Sequence, residues 1–173
     1  MSPLRRQVLS DRYFFITCRR MPKRRILSES ELDRLARSIR ARRQKHGFLF
    51  TAWVFLPDHW HAIFFPPHPL TISGVMESIK VSTTGRINRS RKEHGLLWQP
   101  RFFDRALRTV KEYHEKVEYI HMNPVRAGRV PRAEDWTWSS VHDYVGSVKA
   151  PPATKRILVI DRVSLPADER TRI

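Results

Sequence analysis

The run FLFTAWVFLPDHWHAIFF, residues 48–65, decides the architecture of this chain. Phe48 to Leu56 is almost continuously apolar and of strand length, which suits a strand in the middle of a sheet. Pro57 and Asp58 supply turn chemistry, and His59 to Phe65 returns as a second strand, so the two make an antiparallel hairpin. Side chains two apart on a strand leave the same face. His59 and His61 therefore project together, while Trp60 and Ala62 face the other way. Two neutral imidazoles on one face can ligate a single divalent cation. A solvated sheet face also accommodates two histidines for polarity alone, and the hairpin by itself leaves both readings open.

Working upstream, Ser28-Glu29-Ser30-Glu31 has the spacing of a capping box. Leu32, Leu35, Ala36 and Ile39 follow at helical spacing, so an amphipathic helix runs to about His46, where Gly47 ends it. Arg34, Arg37, Arg40, Arg42 and Arg43 on its outer face fit either a solvated surface or phosphate contact. Before it, Arg12 to Arg19 (RYFFITCR) is rich in aromatic and β-branched residues and reads as a first strand.

Downstream, Pro66, Pro67 and Pro69 close the histidine strand. Ile72, Val75, Met76, Ile79 and Ile87 mark a second helix from Thr71 to about Ser90, and Arg101 to Arg108 (RFFDRALR) reads as a fourth strand. Val110, Tyr113, Val117 and Ile120 form the stripe of a third helix, expected to stop near Asn123 because the residue before Pro124 disfavours the α conformation. The order implies an α+β, ferredoxin-like βαββαβ unit: an antiparallel sheet with helices on one face, the other face free, and an additional helix towards the C-terminus. Asp135 to Ser140, with Trp136 and Trp138, is expected to pack back on the domain. Residues 1–146 form one domain in this reading. Ala150-Pro151-Pro152 is a hinge into a tail, 147–173, where Ile157 to Ile160 suit one more strand.

Composition narrows the partner. The 173 residues carry 33 Lys and Arg against 17 Asp and Glu, a formal charge of +16 and a pI near 11.1. That balance calls for a polyanion, nucleic acid before a membrane surface, since no lipidation motif or membrane-length apolar stretch is found. Met1 to Ser10 is basic without the apolar segment of a secretory signal, so a cytoplasmic location is expected. Cys18 is the single cysteine, which excludes an internal disulfide and a cysteine zinc cluster.

The third helix holds the remaining chemistry. Tyr113 lies on the apolar stripe and is the better core residue; Tyr119 falls more than a right angle away from it. Tyr119 and Asn123, four apart, share one face one turn apart. If this helix packs beside the histidine strand, Asn123 can give an amide oxygen to the cation and Tyr119 can aim its hydroxyl at a bound phosphate. The pieces then suit phosphodiester chemistry in which tyrosinate attacks phosphorus and keeps the energy of the broken linkage. No Gly-rich phosphate loop is present, in keeping with joining that needs no ATP. A surface or interfacial tyrosine and a helix-terminal asparagine remain the plain alternatives.

Pro57-Asp58-His59-Trp60-His61 followed some sixty positions later by Tyr119-Ile120-His121-Met122-Asn123-Pro124-Val125-Arg126-Ala127-Gly128 resembles the single-tyrosine His-hydrophobic-His transposases, and most closely their REP-associated branch. Trp98-Gln99, Phe103-Asp104 and Asp135-Trp136-Thr137-Trp138-Ser139-Ser140 resemble further signatures, and the likeness extends over about Arg12 to Tyr144. By this resemblance His59 and His61 match the metal-binding pair, Tyr119 the nucleophile that forms a 5′-phosphotyrosine link, and Asn123 the third ligand. It implies Mg²⁺ or Mn²⁺ and a single-stranded DNA substrate bearing a hairpin.

Holding such a strand calls for a cationic groove and aromatics on which bases stack. Lys80, Arg86 and Arg89 on the second helix, Arg101, Arg105 and Arg108 around the fourth strand, and Arg126 and Arg129 after the tyrosine are the expected phosphate contacts. Trp98, Trp136 and Trp138 can stack with bases or pack in the core. Monomer and homodimer are both open. The alternative function is a non-catalytic regulator that binds hairpin DNA or RNA. A third reading, an RNA-binding ferredoxin-like module, lacks the aromatic strand signature expected there.

Overall fold

A computed structural model describes residues 10–145 and 157–173. In chain order the elements are β1 (Phe14–Arg19), α1 (Glu29–His46), β2 (Leu49–Phe55), β3 (His59–Phe65), α2 (Ile72–Arg91), β4 (Phe103–Ala106), α3 (Val110–Arg126), a 3-10 turn (Ala133–Asp135) and α4 (Val141–Val145). The strands form one antiparallel sheet in the order β2-β3-β1-β4, the ferredoxin-like α+β arrangement expected from the sequence.

Local chemistry sets the ends of the elements. The Ser28 N–H donates to Glu31 Oε2 at 2.8 Å, closing the capping box, and Gly47 at φ 75° takes the left-handed turn that stops α1. Thr71 and Thr109 accept the N–H groups of Gly74 and Glu112, which starts α2 and α3.

Strand alternation then sorts the side chains into two cores. Phe14, Ile16 and Cys18 of β1 and Trp60, Ala62 and Phe64 of β3 pack beneath Leu32, Leu35 and Ile39 of α1 and Val75, Met76 and Ile79 of α2. Phe15, Val54 and Ile63 meet Tyr113, Val117 and Ile120 of α3 on the opposite face. The second face is therefore not free, as the sequence reading had it. β2 is apolar on both sides, and a strand of that kind needs cover on both; α3 provides it.

Three further expectations are corrected. α3 does not stop near Asn123 but continues through Pro124 to Arg126. Asn123 and Pro124 are both buried there, and the Ala127 and Arg129 N–H groups donate to Asn123 and Pro124 carbonyls at 2.9 Å, so packing outweighs the local preference. β4 is four residues long rather than the eight of Arg101 to Arg108. Ile157 to Ile160 form no strand. Leu158 is instead a core residue, and Asp161 binds the edge of β2, its N–H donating to the Phe50 carbonyl at 2.9 Å and its carboxylate accepting the Phe50 N–H at 2.8 Å.

The hinge at Ala150-Pro151-Pro152 lies outside the described residues. The aromatic segment does pack back: the Phe55 N–H donates to the Trp138 carbonyl and the Ser140 N–H to the Trp53 carbonyl, both at 2.9 Å. β2 is thus an edge strand, not the middle one that its apolar run suggested, and these bonds cover its outer edge, which would otherwise present unpaired backbone groups.

Candidate active site

The antiparallel register of β1 and β3 sets Thr17 opposite His61 and Arg19 opposite His59, all on the face that α3 covers. Thr17 Oγ1 lies 2.8 Å from His61 Nδ1, and the Asn123 amide nitrogen lies 3.2 Å from His61 Nε2. An amide N–H can only donate, so Nε2 carries the lone pair and Nδ1–H donates to Thr17. Burial, then the nearby charges of His59, Arg19 and Lys116, push the His61 pKa down to about 3. The ring is therefore a neutral donor near neutral pH.

His59 stands next to it, ring centroids 5.0 Å apart and nearly perpendicular. Its Nδ1 bonds Asp58 Oδ1 at 2.9 Å, which leaves Nε2 for another partner. Burial works to raise the Asp58 pKa, but the hydrogen bond and charge of His59, with Arg129 beyond, outweigh it and hold the carboxyl below its usual range.

Tyr119 reaches the pair from α3, its ring 5.4 Å from that of His61. Phe15 stacks face to face on His61 at 5.6 Å and meets Tyr119 edge-on at 5.7 Å. Lys116 Nζ lies 5.2 Å and Arg126 Cζ 5.3 Å from the Tyr119 ring centre, so two cations flank the phenol. Arg126 occupies that place because α3 runs on past Pro124.

The helix is itself pinned. His121 Nε2 bonds the buried Ser140 hydroxyl at 2.9 Å, and that hydroxyl accepts the Trp53 N–H at 2.9 Å. Burial, then the neighbouring His142, lowers the His121 pKa to about 4.

The donor set suits a divalent cation. Two imidazoles, one braced by a carboxylate and the other by a hydroxyl, stand beside a carboxamide that already reaches Nε2, a mixed N/O environment. Among the described residues no group of three His, Cys, Asp or Glu side chains gathers to hold an ion; the Asn123 amide, beside His61, could offer its oxygen as a third donor.

His59, His61, Tyr119 and Asn123 thus converge, with Arg126 above and Arg129 near Asp58. The other expected phosphate contacts divide. Arg105 is on the site's face of β4 but pairs with Glu112 at 2.8 Å, and Arg101 and Arg108 are exposed on either side of that strand. Lys80 donates to the Gln99 and Pro100 carbonyls at 2.7 and 2.9 Å, holding the segment before β4. Arg86 and Arg89 line a groove with Arg34 in the α1/α2 layer, on the far side of the sheet. Trp98 is buried against Trp60, Trp136 donates its indole N–H to the Phe55 carbonyl at 2.9 Å, and Trp138 bonds Glu29.

Two residues escaped the sequence reading. Lys116 precedes Tyr119 by three on a helix, a spacing that signalled a shared face. Thr17 depends on strand register, for which the sequence carried no direct signal, and Phe103, noted only within a family signature, is exposed on the same face.

Comparison with known proteins identifies the family. The family model described as Transposase IS200 like matches residues 8–123, which contain His59, His61, Tyr119 and Asn123. The chain is 30% identical to the REP-associated tyrosine transposase of Escherichia coli (strain K12) over 169 residues, 91% of this chain and 99% of that protein. It is 28% identical over 109 residues to a putative REP-associated tyrosine transposase of Haemophilus influenzae, 57% of this chain and 62% of the other. A solved structure of a REP-associated tyrosine transposase bound to a REP hairpin superposes with a TM-score of 0.74 at 29% identity, covering 100% of this chain and 99% of that one. A putative transposase from Deinococcus radiodurans, at 14% identity and a TM-score of 0.50 over 75% of this chain and 98% of the other, shares the fold. The chain belongs to the IS200-like transposases, enzymes that cut and join DNA, and within them to the REP-associated tyrosine transposases.

Proposed function

We propose that this chain is a divalent-metal-dependent endonuclease and strand transferase that acts on single-stranded DNA beside a hairpin, through a 5′-phosphotyrosine intermediate. The observation that carries the reading is the meeting of Tyr119 with His61, rings 5.4 Å apart, where Asn123 also touches His61 Nε2. The related structure bound to a REP hairpin supports the hairpin, and the formal charge of +16 supports a polyanion.

His59, His61 and Asn123 would hold Mg²⁺ or Mn²⁺, which when bound polarises the scissile phosphate and offsets its charge. The Tyr119 oxygen attacks phosphorus, giving up its proton. An O–P bond forms to the 5′-phosphate as the bond from phosphorus to the 3′-oxygen breaks, and that oxygen leaves as a 3′-hydroxyl by taking up a proton. Lys116 and Arg126 stabilise the negative charge on the phenolate and on the phosphate it attacks. Joining is the reverse step with another 3′-hydroxyl as nucleophile, so one bond replaces another and no external energy is needed.

The test is incubation with Mn²⁺ and a labelled hairpin oligonucleotide carrying single-stranded flanks. An adduct that survives denaturation and is lost in Tyr119→Phe is expected. Tight hairpin binding without an adduct, over a range of flanking sequences, would assign the chain to the non-catalytic regulator.

A further inference from the structure

We infer that Phe103 is a stacking platform for a nucleobase of the single strand next to the phosphate that Tyr119 attacks. The inference rests on the proposed role of Tyr119 and adds a residue that contacts the substrate.

The indoles are committed elsewhere: Trp98 is 1% exposed, and Trp136 and Trp138 donate their N–H groups within the fold. Phe103 is the reverse, 57% exposed on the edge strand of the sheet, on the face that carries the site. The β1–β4 register sets it opposite Thr17, the residue that holds His61. Its ring lies 6.2 Å from Phe15, edge-on, and Phe15 in turn touches both His61 and Tyr119. Only β1 separates the strand of the exposed ring from the histidine strand, and the Phe15 side chain contacts both that ring and Tyr119.

The surroundings favour a base over a protein partner. Arg101 and Arg105 lie two residues to either side of Phe103 and are exposed, and Lys116 Nζ stands 4.9 Å from the Phe15 ring centre. A single ring set among cations is a poor match to the broad apolar patch that marks a protein interface. It is what a strand of alternating bases and phosphates needs, since every base has a face to stack and each phosphate needs a cation beside it. Among the described residues β4 pairs with β1 alone.

The experiment uses Tyr119→Phe protein, which holds the strand without reacting, and a hairpin oligonucleotide with 2-aminopurine placed at each single-stranded flanking position in turn. One position should be strongly quenched on saturation. Phe103→Ala should abolish that quenching and weaken binding about tenfold, while Phe103→Trp keeps both. A hairpin without flanks should bind all three proteins alike. No quenched position, or quenching that survives Phe103→Ala, overturns the inference. So does a change from dimer to monomer in Phe103→Ala with quenching intact, which would give the ring to a second copy of the chain. Because the readout needs no cleavage, absence of a covalent adduct in the wild-type assay would sink the proposed reaction separately.

Discussion

The amide nitrogen of Asn123 lies 3.2 Å from Nε2 of His61, joining the last full turn of α3 to the middle of β3 across 62 positions of sequence. This contact ties the face carrying Tyr119 to the histidine pair. Asn123→Ala removes one neutral hydrogen bond, which costs about 1 kcal/mol of stability and leaves the fold intact. Its effect on chemistry should be larger, because the proposed third donor is gone: adduct formation should fall at least about tenfold, and Mn²⁺ binding followed by electron paramagnetic resonance should weaken with it. Hairpin affinity, which depends on phosphate contacts, should hold. An unchanged adduct rate would remove Asn123 from the site.

Thr17 makes the next prediction. Its hydroxyl lies 2.8 Å from His61 Nδ1 and accepts the proton that the Asn123 N–H, aimed at Nε2, keeps on that side of the ring. Thr17→Val keeps the shape but takes one hydrogen-bond partner from the buried ring, at about 1 kcal/mol, leaving its bond to the Ile16 backbone. The imidazole is then held less firmly with its lone pair on Nε2, where the proposed cation would bind. The Mn²⁺ concentration needed for half-maximal adduct formation should rise about 10–100-fold, and Thr17→Ser should restore it. Equal metal dependence in all three proteins would show that the hydroxyl sets no tautomer.

The sheet was legible because one rule governs residues 59–65: alternation put Trp60, Ala62 and Phe64 in one core and His59 and His61 on the other side. The convergence on His61 was only half legible. Tyr119 and Asn123 declared a shared helix face, but Thr17 reaches His61 through a register that two distant turns set together. Pro124 misled because a local preference was weighed without the packing that buries it. The sequence leaves Trp98 open between base stacking and core packing, and its ring, 6.2 Å from Trp60, is in the core.

Glu31 and Arg91 clip the start of α1 to the end of α2, with Arg91 Nε 2.5 Å from Oε1 and Nη2 2.7 Å from Oε2. Burial works to raise the Glu31 pKa, but the Arg91 hydrogen bonds, the Ser28 N–H and the Arg91 charge outweigh it and hold the carboxyl at about 2. A folded pKa below the unfolded one means that stability is complete above about pH 4.5 and is lost as pH falls towards 2. Glu31→Gln should therefore be less stable than wild type to urea at pH 6. The gap should narrow by about 1 kcal/mol at pH 3.5. A gap that is constant with pH would mean that the pair contributes through packing alone.

Ser140 supplies the last prediction. Its buried hydroxyl accepts the Trp53 N–H and bonds His121, which sits on α3 midway between Tyr119 and Asn123. Ser140→Ala leaves a buried backbone donor and a buried imidazole each short of a partner, which costs about 2 kcal/mol. The melting temperature should fall by about 4–8 °C for a chain of this size. The loss should also reach the chemistry, because this hydrogen bond fixes how α3 lies against β2, and a displaced attacking group reacts far more slowly. Measured well below the melting temperature, where the variant is fully folded by circular dichroism, the adduct rate should be about tenfold lower, with hairpin affinity unchanged. If the rate instead equals that of wild type once folding is complete, His121 and Ser140 stabilise the fold and play no part in setting the tyrosine.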